Sequence, residues 1–321
     1  MLMKYLRLLT LAAAIALIPS VAMAQGKADF VVITLGTGTP GPVMDRMGPA
    51  TLVMAGDQKL LFDSGRGVLI NLNRAHIPAA ALNGVFLTHL HSDHVVGLPD
   101  LWLTGWLPAP FGRRTHPMKL WGPVGTQSLA ENLEKAYAWD IKVRIDDQRL
   151  PPAGAKIEVT EISDGVVYEK SGVKVTAFTV NHGPKIKPAF GYRVDYDGRS
   201  VTLSGDTTYD PNLIKAAKGT TLLIHQTAMA KPELVASSMV WKLILNHHTT
   251  PAEAGKVFSE VAPKLAVLYH IVRLTNGKIP APSYDDVVTE VKSTYSGPLV
   301  VAEDMMRFVI GTDGVNVSEP K

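Results

Sequence analysis

Short apolar runs separated by turn residues set the hydrophobic pattern of the chain. Runs rich in β-branched residues predict strands, and apolar residues spaced three and four apart predict helices. In the first half the pattern predicts, in chain order, strands at residues 30–35, 51–54 and 59–62, a helix near residues 67–75, a strand at residues 84–88, and helices after His94 and Thr126.

The second half repeats this order of strands and helices. It predicts strands between residues 156 and 180, a hairpin of residues 191–196 and 200–203 turned by Asp197 and Gly198, and alternating helices and strands to residue 310. No linker or low-complexity segment divides the chain, and 46% of its residues are hydrophobic, which is enough for one substantial core. We therefore predict one α/β domain over residues 25–321, with helices outside its sheets.

Residues 1–24 have the pattern of a secretory signal peptide. Lys4 and Arg7 precede an apolar stretch at residues 8–18, and the small residues Ala22 and Ala24 flank Met23. The stretch is shorter than a membrane-spanning helix, and the chain has no Cys to carry a lipoprotein anchor. We therefore expect cleavage after Ala24 and a periplasmic or secreted protein without a membrane anchor.

Residues 89–94 carry the strongest chemical signal. They place three imidazoles and one carboxylate side by side: His89, His91, Asp93 and His94. Four donors within six residues are too crowded for one tetrahedral ion to use all of them, so two metal ions are expected. Further candidates each follow an apolar run that predicts a strand, where a rigid sheet can aim a ligand: His182, Asp206 and His270. Without Cys, all ligands must be nitrogen or oxygen.

This order of residues, His-x-His-x-Asp-His followed by a lone His, an Asp and a last His, resembles the signature of the metallo-β-lactamase superfamily. The resemblance implies a four-layer αβ/βα sandwich of two mixed β-sheets that holds two zinc ions, with Mn or Fe as alternatives. It implies that one ion binds His89, His91, His182 and Asp206, and that the other binds Asp93, His94, Asp206 and His270. Asp206 would bridge the two ions.

Three stretches resemble the branch of this superfamily that contains ribonuclease Z, the metal-dependent arylsulfatases and related phosphodiesterases. They are residues 36–40 with Arg46 and residues 48–50, residues 190–193 before residues 204–207, and His248-Thr249-Thr250. The resemblance implies that His248 is a catalytic residue outside the metal ligand set, and that Asp93 orients the attacking hydroxide. Where ribonuclease Z usually has a Glu paired with this histidine, the chain has Gln226, which can accept a hydrogen bond but carries no charge.

Charge favours a small substrate over a long polyanion. The formal net charge is +3, and Lys4 and Arg7 would leave with the signal peptide. A nucleic-acid binder usually has a basic face, yet only Arg113 and Arg114 form a basic pair, and residues 121–173 contain no basic Gly/Pro-rich arm. We therefore expect a small-molecule ester as the partner and no nucleic-acid surface.

The leading hypothesis is an exported dinuclear zinc hydrolase that cleaves small phosphodiester or aryl sulfate esters through a metal-bridged hydroxide. One alternative is a lactone, thioester or β-lactam hydrolase on the same fold, and another is a ribonuclease Z-like endoribonuclease. Outside hydrolysis, the fold can host an iron-dependent oxidoreductase or a catalytically silent binding module. The resemblance also implies a homodimer.

Several residues have two interpretations each. Trp102, Trp106 and Phe111 could line a substrate pocket or belong to the core, and Arg113 could bind an anionic ester or lie in solvent. The apolar segment at residues 229–245 could be a lid before His248 or a packed helix.

Overall fold

The computed structural model describes residues 29–108, 110 and 112–319, so the predicted signal peptide at residues 1–24 and Phe111 lie outside the described residues. The strands are β1 (Phe30–Gly36), β2 (Ala50–Ala55), β3 (Gln58–Phe62), β4 (Gly84–Phe86), β5 (Met118–Gly122), β6 (Ile157–Glu161), β7 (Gly165–Lys170), β8 (Val173–Val180), β9 (Ala189–Tyr196), β10 (Arg199–Leu203), β11 (Leu222–Met229), β12 (Leu265–Arg273), β13 (Leu299–Val301), β14 (Arg307–Ile310) and β15 (Val315–Ser318).

The helices connect these strands. They are α1 (Val68–Arg74), α2 (Ser92–Val95), α3 (Leu98–Trp106), α4 (Thr126–Ala136), α5 (Ala138–Gln148), α6 (Pro211–Ala217), α7 (Pro232–Ser237), α8 (Met239–Leu245), α9 (Pro251–Val261) and α10 (Tyr284–Lys292). Within the described part of the chain, none of them combines the length and the apolar character needed to cross a bilayer.

The strands form two mixed sheets. The first sheet has the order β15-β14-β1-β2-β3-β4-β5-β6, and the second has the order β13-β12-β11-β10-β9-β8-β7. In the first sheet β3 to β6 are parallel, and in the second β10 to β13 are parallel, while the remaining neighbours pair antiparallel. Parallel neighbours need long crossover connections, and α3, α6 and α9 lie in such connections.

The core has three apolar layers that correspond to a four-layer sandwich. Between the sheets, Phe62 and Phe86 of the first sheet meet Tyr192 of the second, with ring centroids 5.2 and 5.9 Å from it. The outer face of the first sheet packs against α1 and α3, and that of the second sheet packs against α6, α9 and α10. The predicted fold class is thus confirmed, because each sheet buries one face on the other sheet and one face on helices.

Most predicted elements agree with the structure. The hairpin of β9 and β10 turns at Asp197 and Gly198, whose φ values of 48° and 70° suit a two-residue turn. The strand predicted at residues 84–88 ends earlier, at Phe86, because the chain leaves the sheet to form the His89–His94 loop. The apolar segment at residues 229–245 forms two short helices, and α8 buries none of its residues, so it is not a packed core helix.

Candidate metal centre

The His89–His94 segment forms a loop and one helical turn after β4. His89 and His91 precede α2, and Asp93 and His94 lie within it. The Phe190 amide donates to the Thr88 carbonyl (2.9 Å), which fixes this loop to β9 of the second sheet. His89, Asp93 and His94 are buried, whereas His91 is exposed.

The second sheet supplies three more side chains at the same edge. His182 follows β8 and Asp206 follows β10. The turn before Asp206 needs glycine, since Gly205 has φ +60° and a Cβ there would lie 2.4 Å from the Phe190 carbonyl oxygen. His270 lies within β12, where a bulge skips it in the pairing with β11 and gives it φ 48°. The bulge re-aims this imidazole out of the sheet.

Four overlapping groups drawn from these residues and His248 could each hold a metal ion, and two of the groups together contain six of the seven candidate ligands. The first cluster consists of His89, His91 and His182, and the second cluster consists of Asp93, His94 and His270. Asp206 lies between them: its Oδ2 is 3.8 Å from Nε2 of His182, 3.6 Å from Nε2 of His94 and 3.3 Å from Nε2 of His270. The structure thus brings together all seven residues that the sequence singles out as ligands.

Hydrogen bonds orient three of the five imidazoles so that Nε2 of each faces the centre. Nδ1–H of His94 donates to Asp63 Oδ2 (2.8 Å), that of His270 to the Gly38 carbonyl (2.6 Å), and that of His182 to the His247 carbonyl (2.8 Å). Nε2 is therefore the unprotonated atom of each neutral ring, as metal ligation requires. Within the described residues, Nε2 of His94 and Oδ2 of Asp93 are buried without a hydrogen-bond partner. These nitrogen and oxygen donors fit zinc.

The electrostatic environments of the two clusters differ. Burial holds the pKa of His89 well below its usual range, and it lowers the pKa of His91 and His182 as well. Burial also opposes protonation of His94 and His270, but nearby carboxylates outweigh it. Asp63 and Asp206 raise the pKa of His94, and Asp206 and Asp93 raise the pKa of His270. Although burial disfavours its charge, Asp206 has a strongly lowered pKa because His270 and His94 stabilise the carboxylate.

Asp63 is a functional residue that the sequence interpretation missed. It follows β3 directly, has φ 60° and is buried. Its carboxylate accepts from the Thr88 amide (2.8 Å) as well as from His94, so it couples the metal loop to the first sheet. The available signal was its position immediately after a strand in Phe62-Asp63-Ser64-Gly65.

His248 lies beside the centre and is paired with Gln226. Nδ1–H of His248 donates to Gln226 Oε1 (3.0 Å), and Nε2 of Gln226 donates to the Thr207 carbonyl (2.5 Å), which fixes the amide orientation. His248 Nδ1 is 3.9 Å from Asp206 Oδ2. Burial lowers the pKa of His248 to about 4, so the imidazole is neutral at neutral pH.

A cleft of about 500 Å³ opens over the metal centre. One wall is the loop from Thr39 to Gly41, and another is the segment of residues 272–275. The lining also includes Ile244 of α8 and the imidazoles of His247 and His248. The α7–α8 segment thus contributes to the wall of the cleft.

Among the described residues that line the cleft, Arg273 is the one with a cationic side chain apart from the imidazoles. Its guanidinium lies 3.9 Å from the centroid of the Tyr284 ring, and its NH1 donates to the Pro282 carbonyl (2.9 Å). Neither partner is an anion, so the contacts orient the guanidinium without neutralising its charge.

The residues expected to contact substrate lie elsewhere. Trp102 and Trp106 are 0% and 1% exposed, and the Trp106 indole donates to the Pro151 carbonyl (2.9 Å), so both belong to the interior. Arg113 is exposed but does not line the cleft, and Phe111 lies outside the described residues. The structure therefore places Trp102, Trp106 and Arg113 outside the lining of the cleft, although α3 follows the metal motif closely in sequence, and their contact with substrate stays a prediction.

Comparison with known proteins agrees with this geometry. Residues 58–271 match the family model of the β-lactamase superfamily domain. The chain belongs to the metallo-β-lactamase superfamily. Ribonuclease Z of Mycobacterium marinum is 36% identical to it over 243 residues, which cover 75% of the chain and 86% of that protein. Ribonuclease Z of Mycobacterium bovis is 34% identical over 280 residues, which cover 86% and 96%.

Solved structures show the same superfamily fold. The metallo-β-lactamase fold protein YhfI of Bacillus subtilis aligns with a TM-score of 0.68 at 18% identity, over 88% of this chain and 99% of YhfI. The short form of human tRNase Z aligns with a TM-score of 0.62 at 22% identity, over 86% and 98%. Together with the clustered ligands, membership in the superfamily makes this chain a metal-binding hydrolase.

The relatives overturn three expectations. A hydrolase of small phosphodiesters or aryl sulfates is wrong as the leading hypothesis, because proteins that share over a third of their aligned residues with this chain are named ribonuclease Z. The expected small-molecule partner and the lack of a nucleic-acid surface are wrong for the same reason. Net charge was a poor guide because it averages over the whole surface.

The expected periplasmic or secreted location is also wrong by this comparison, since relatives named for an RNA-cleaving enzyme need a compartment that contains RNA. That expectation depended on residues 1–24, which lie outside the described residues.

Proposed function

We propose that this protein is a ribonuclease Z-like endoribonuclease that hydrolyses a phosphodiester bond of RNA at a centre of two zinc ions. The observation that carries the proposal is the 34–37% identity to proteins named ribonuclease Z over most of the chain. The pairing of His248 with Gln226 beside the two clusters supports it, because a histidine at this place is what the resemblance to ribonuclease Z implies.

The two clusters divide the metal ligands. His89, His91 and His182 would hold one ion, Asp93, His94 and His270 would hold the other, and Asp206 would contact both. Bound zinc supplies Lewis acidity, which makes water a nucleophile near neutral pH and stabilises negative charge on the phosphate.

The protein's own residues then orient the reaction. Asp93 Oδ2 has no hydrogen-bond partner within the described residues, so it can accept a hydrogen bond from the attacking water. Gln226 holds Nδ1 of His248, which leaves Nε2 as the ring atom available to the cleft. Once the ring is protonated, which a bound phosphate anion favours, Nε2–H can donate to an oxygen of the reacting phosphate or of the leaving group.

Arg273 supplies the charge that an RNA substrate requires in the cleft. A guanidinium matches phosphate oxygens with two parallel donors, and the Tyr284 ring and Pro282 carbonyl already restrict its orientation. The neighbouring Ile244, Val272 and Leu274 offer apolar walls. Such walls suit a nucleobase next to the phosphate.

The deciding experiment incubates the zinc-loaded protein with a precursor tRNA, an unstructured RNA of equal length and bis(p-nitrophenyl) phosphate. We expect one discrete endonucleolytic cut in the precursor tRNA. Purified Asp206→Ala protein is the control, since a contaminating nuclease would cut equally well in that sample. Turnover of the small diester without cleavage of either RNA would refute the proposal.

A further inference from the structure

The loop that orients His270 is held by a side chain far away in sequence. His270 donates from Nδ1 to the Gly38 carbonyl (2.6 Å), and Gly38 in turn donates from its amide to the Met47 carbonyl (2.6 Å). The loops at residues 36–41 and 45–49 lie back to back: a Cβ on Gly36 would meet the Gly48 carbonyl oxygen at 1.9 Å. Neither loop contains a helix or strand beyond the end of β1 to fix it internally.

The Asp304 carboxylate joins these two loops. Its Oδ1 accepts from the amide and the hydroxyl of Thr37, each at 2.8 Å. Its Oδ2 accepts from the Met47 amide (2.6 Å) and from Nδ2 of Asn71 (3.2 Å). One carboxylate therefore fixes the residues on both sides of the Gly38–Met47 contact. A carboxylate that accepts several backbone amides is a strong and geometrically specific anchor.

Arg46 completes this arrangement. Its NH1 donates to the Thr37 hydroxyl (2.8 Å) and to the Ala302 carbonyl (2.6 Å), and its side chain is 9% exposed. The segment that carries Asp304 is itself tied to both sheets. The Ala302 amide donates to Leu268 of β12 (2.8 Å), and the Met305 amide donates to Thr34 of β1 (2.6 Å).

We propose that Asp304 is a positioning residue for the second cluster: it fixes the loop whose Gly38 carbonyl orients the His270 imidazole toward the metal. It contacts neither the clusters nor the centre of the cleft, so it acts only through the loop. Loss of a partner that orients a ligand typically weakens metal binding by roughly 10–100-fold. Because Asp304 acts on His270 only through the loop that carries Gly38, we expect its loss to weaken metal binding by about 10-fold. The loss should be confined to the ion that His270 binds.

The inference rests on the metal centre of the proposed function, and its test measures metal binding without any RNA. The full chain is loaded with zinc and titrated with a chelator, and bound zinc per chain is determined by elemental analysis. For wild type we expect two release steps. For Asp304→Ala we expect one step to weaken and the other to stay unchanged, and the visible spectrum of the cobalt-substituted protein should change at one site.

Three further variants separate positioning from general destabilisation. Glu303→Gln is the matched control, since Glu303 is the neighbouring carboxylate, 59% exposed and 3.8 Å from Arg46, and both release steps should remain as in wild type. Asp304→Asn keeps the volume and one acceptor, so it should give a smaller shift and serves if Asp304→Ala does not fold. In the His270→Ala background, Asp304→Ala should weaken zinc binding no further.

The outcomes separate the inference from the proposed function. Wild type that binds no zinc would defeat both. Wild type with two zinc ions, together with Asp304 variants that release both ions normally or weaken both equally, would overturn the positioning role alone. A full additional loss of affinity in the His270→Ala background would overturn it too.

Discussion

The two halves of the metal centre use the same residue type in opposite electrostatic settings. The first cluster has three imidazoles, one of them exposed, and the pKa of each is lowered by burial. The second cluster has its own carboxylate, is fully buried, and contains two imidazoles with raised pKa values. Outer partners differ as well: the His89 imidazole contacts the neutral Thr88 hydroxyl (3.0 Å), whereas His94 contacts the Asp63 carboxylate.

The histidines of the two halves are alike, so the difference in their pKa values comes from their surroundings. Negative charge next to a ligand raises its basicity and attracts a cation. We therefore expect the second cluster to retain its ion at chelator concentrations that empty the first.

The largest effect is expected for Asp206→Ala, which removes the residue shared by both halves. Because Asp206 Oδ2 lies within 3.8 Å of Nε2 of both His182 and His270, both ions should bind more weakly. The loss of RNA cleavage should exceed the roughly 10²–10⁴-fold expected for one proton-transferring group. Elemental analysis and kcat measure the effect, and fully active protein with one tightly bound ion would contradict it.

His248→Ala tests whether His248 belongs to the metal ligands of the first half. Gln226 holds His248 outside the two clusters, so kcat should fall by roughly 10²–10⁴-fold while zinc content stays unchanged. His248 also lies close enough to His182 and Asp206 to form a ligand group with them. Loss of one zinc ion would therefore assign His248 to the metal and not to the substrate. The exposed His116 provides a matched His→Ala control.

Asp63→Asn should make the second half more like the first. The substitution keeps the shape but removes the charge that raises the pKa of His94, so zinc affinity at the second cluster should fall by roughly 10–100-fold. Chelator competition measures this, and Asp146→Asn on the surface of α5 is the control. An equal loss at both clusters would show that Asp63 acts on the fold and not on His94.

Gln226→Glu should have the smallest effect, since it gives His248 the kind of carboxylate partner that His94 already has. A neighbouring negative charge raises the pKa of an imidazole, so the pKa of His248 should rise from about 4. Below the raised pKa the imidazole is protonated, and the limb of the kcat profile that reports His248 should move to higher pH. We expect less than about a tenfold change in kcat at neutral pH. If the pH dependence of kcat does not change, the side chain at position 226 does not control the pKa of His248.

The sequence predicted the ligands better than their supports. The ligands at residues 89–94 can be recognised from the local sequence alone, since four potential metal ligands within six residues are typical of a metal site. His182 and Asp206 could be found because functional groups follow strand ends, a property readable from apolar runs. Asp63 occupies an equivalent place after β3, but a lone carboxylate there has no local signature, and its role exists only through contact with His94.

The residues that line the cleft were the hardest to predict, because they too meet only through tertiary contacts. Trp102 and Trp106 follow the metal motif closely, but the periodicity that makes α3 a helix also turns its apolar face toward the first sheet and the interior. Arg273, Ile244 and the loop from Thr39 to Gly41 come from distant parts of the chain. No pattern within a short window can report that such segments meet.

The sequence by itself determined the elements, the α/β layering and the identity of the candidate ligands, because periodicity and residue type are local properties that act over a few residues. Only the tertiary structure decided which nitrogen of each imidazole faces the metal, which carboxylate raises or lowers each pKa, and which side chains line the cleft. Hydrogen bonds such as those from His270 to Gly38 and from Met47 to Asp304 join residues more than two hundred positions apart. Their geometry is fixed by the packing of the two sheets, which forms only when the whole chain has folded.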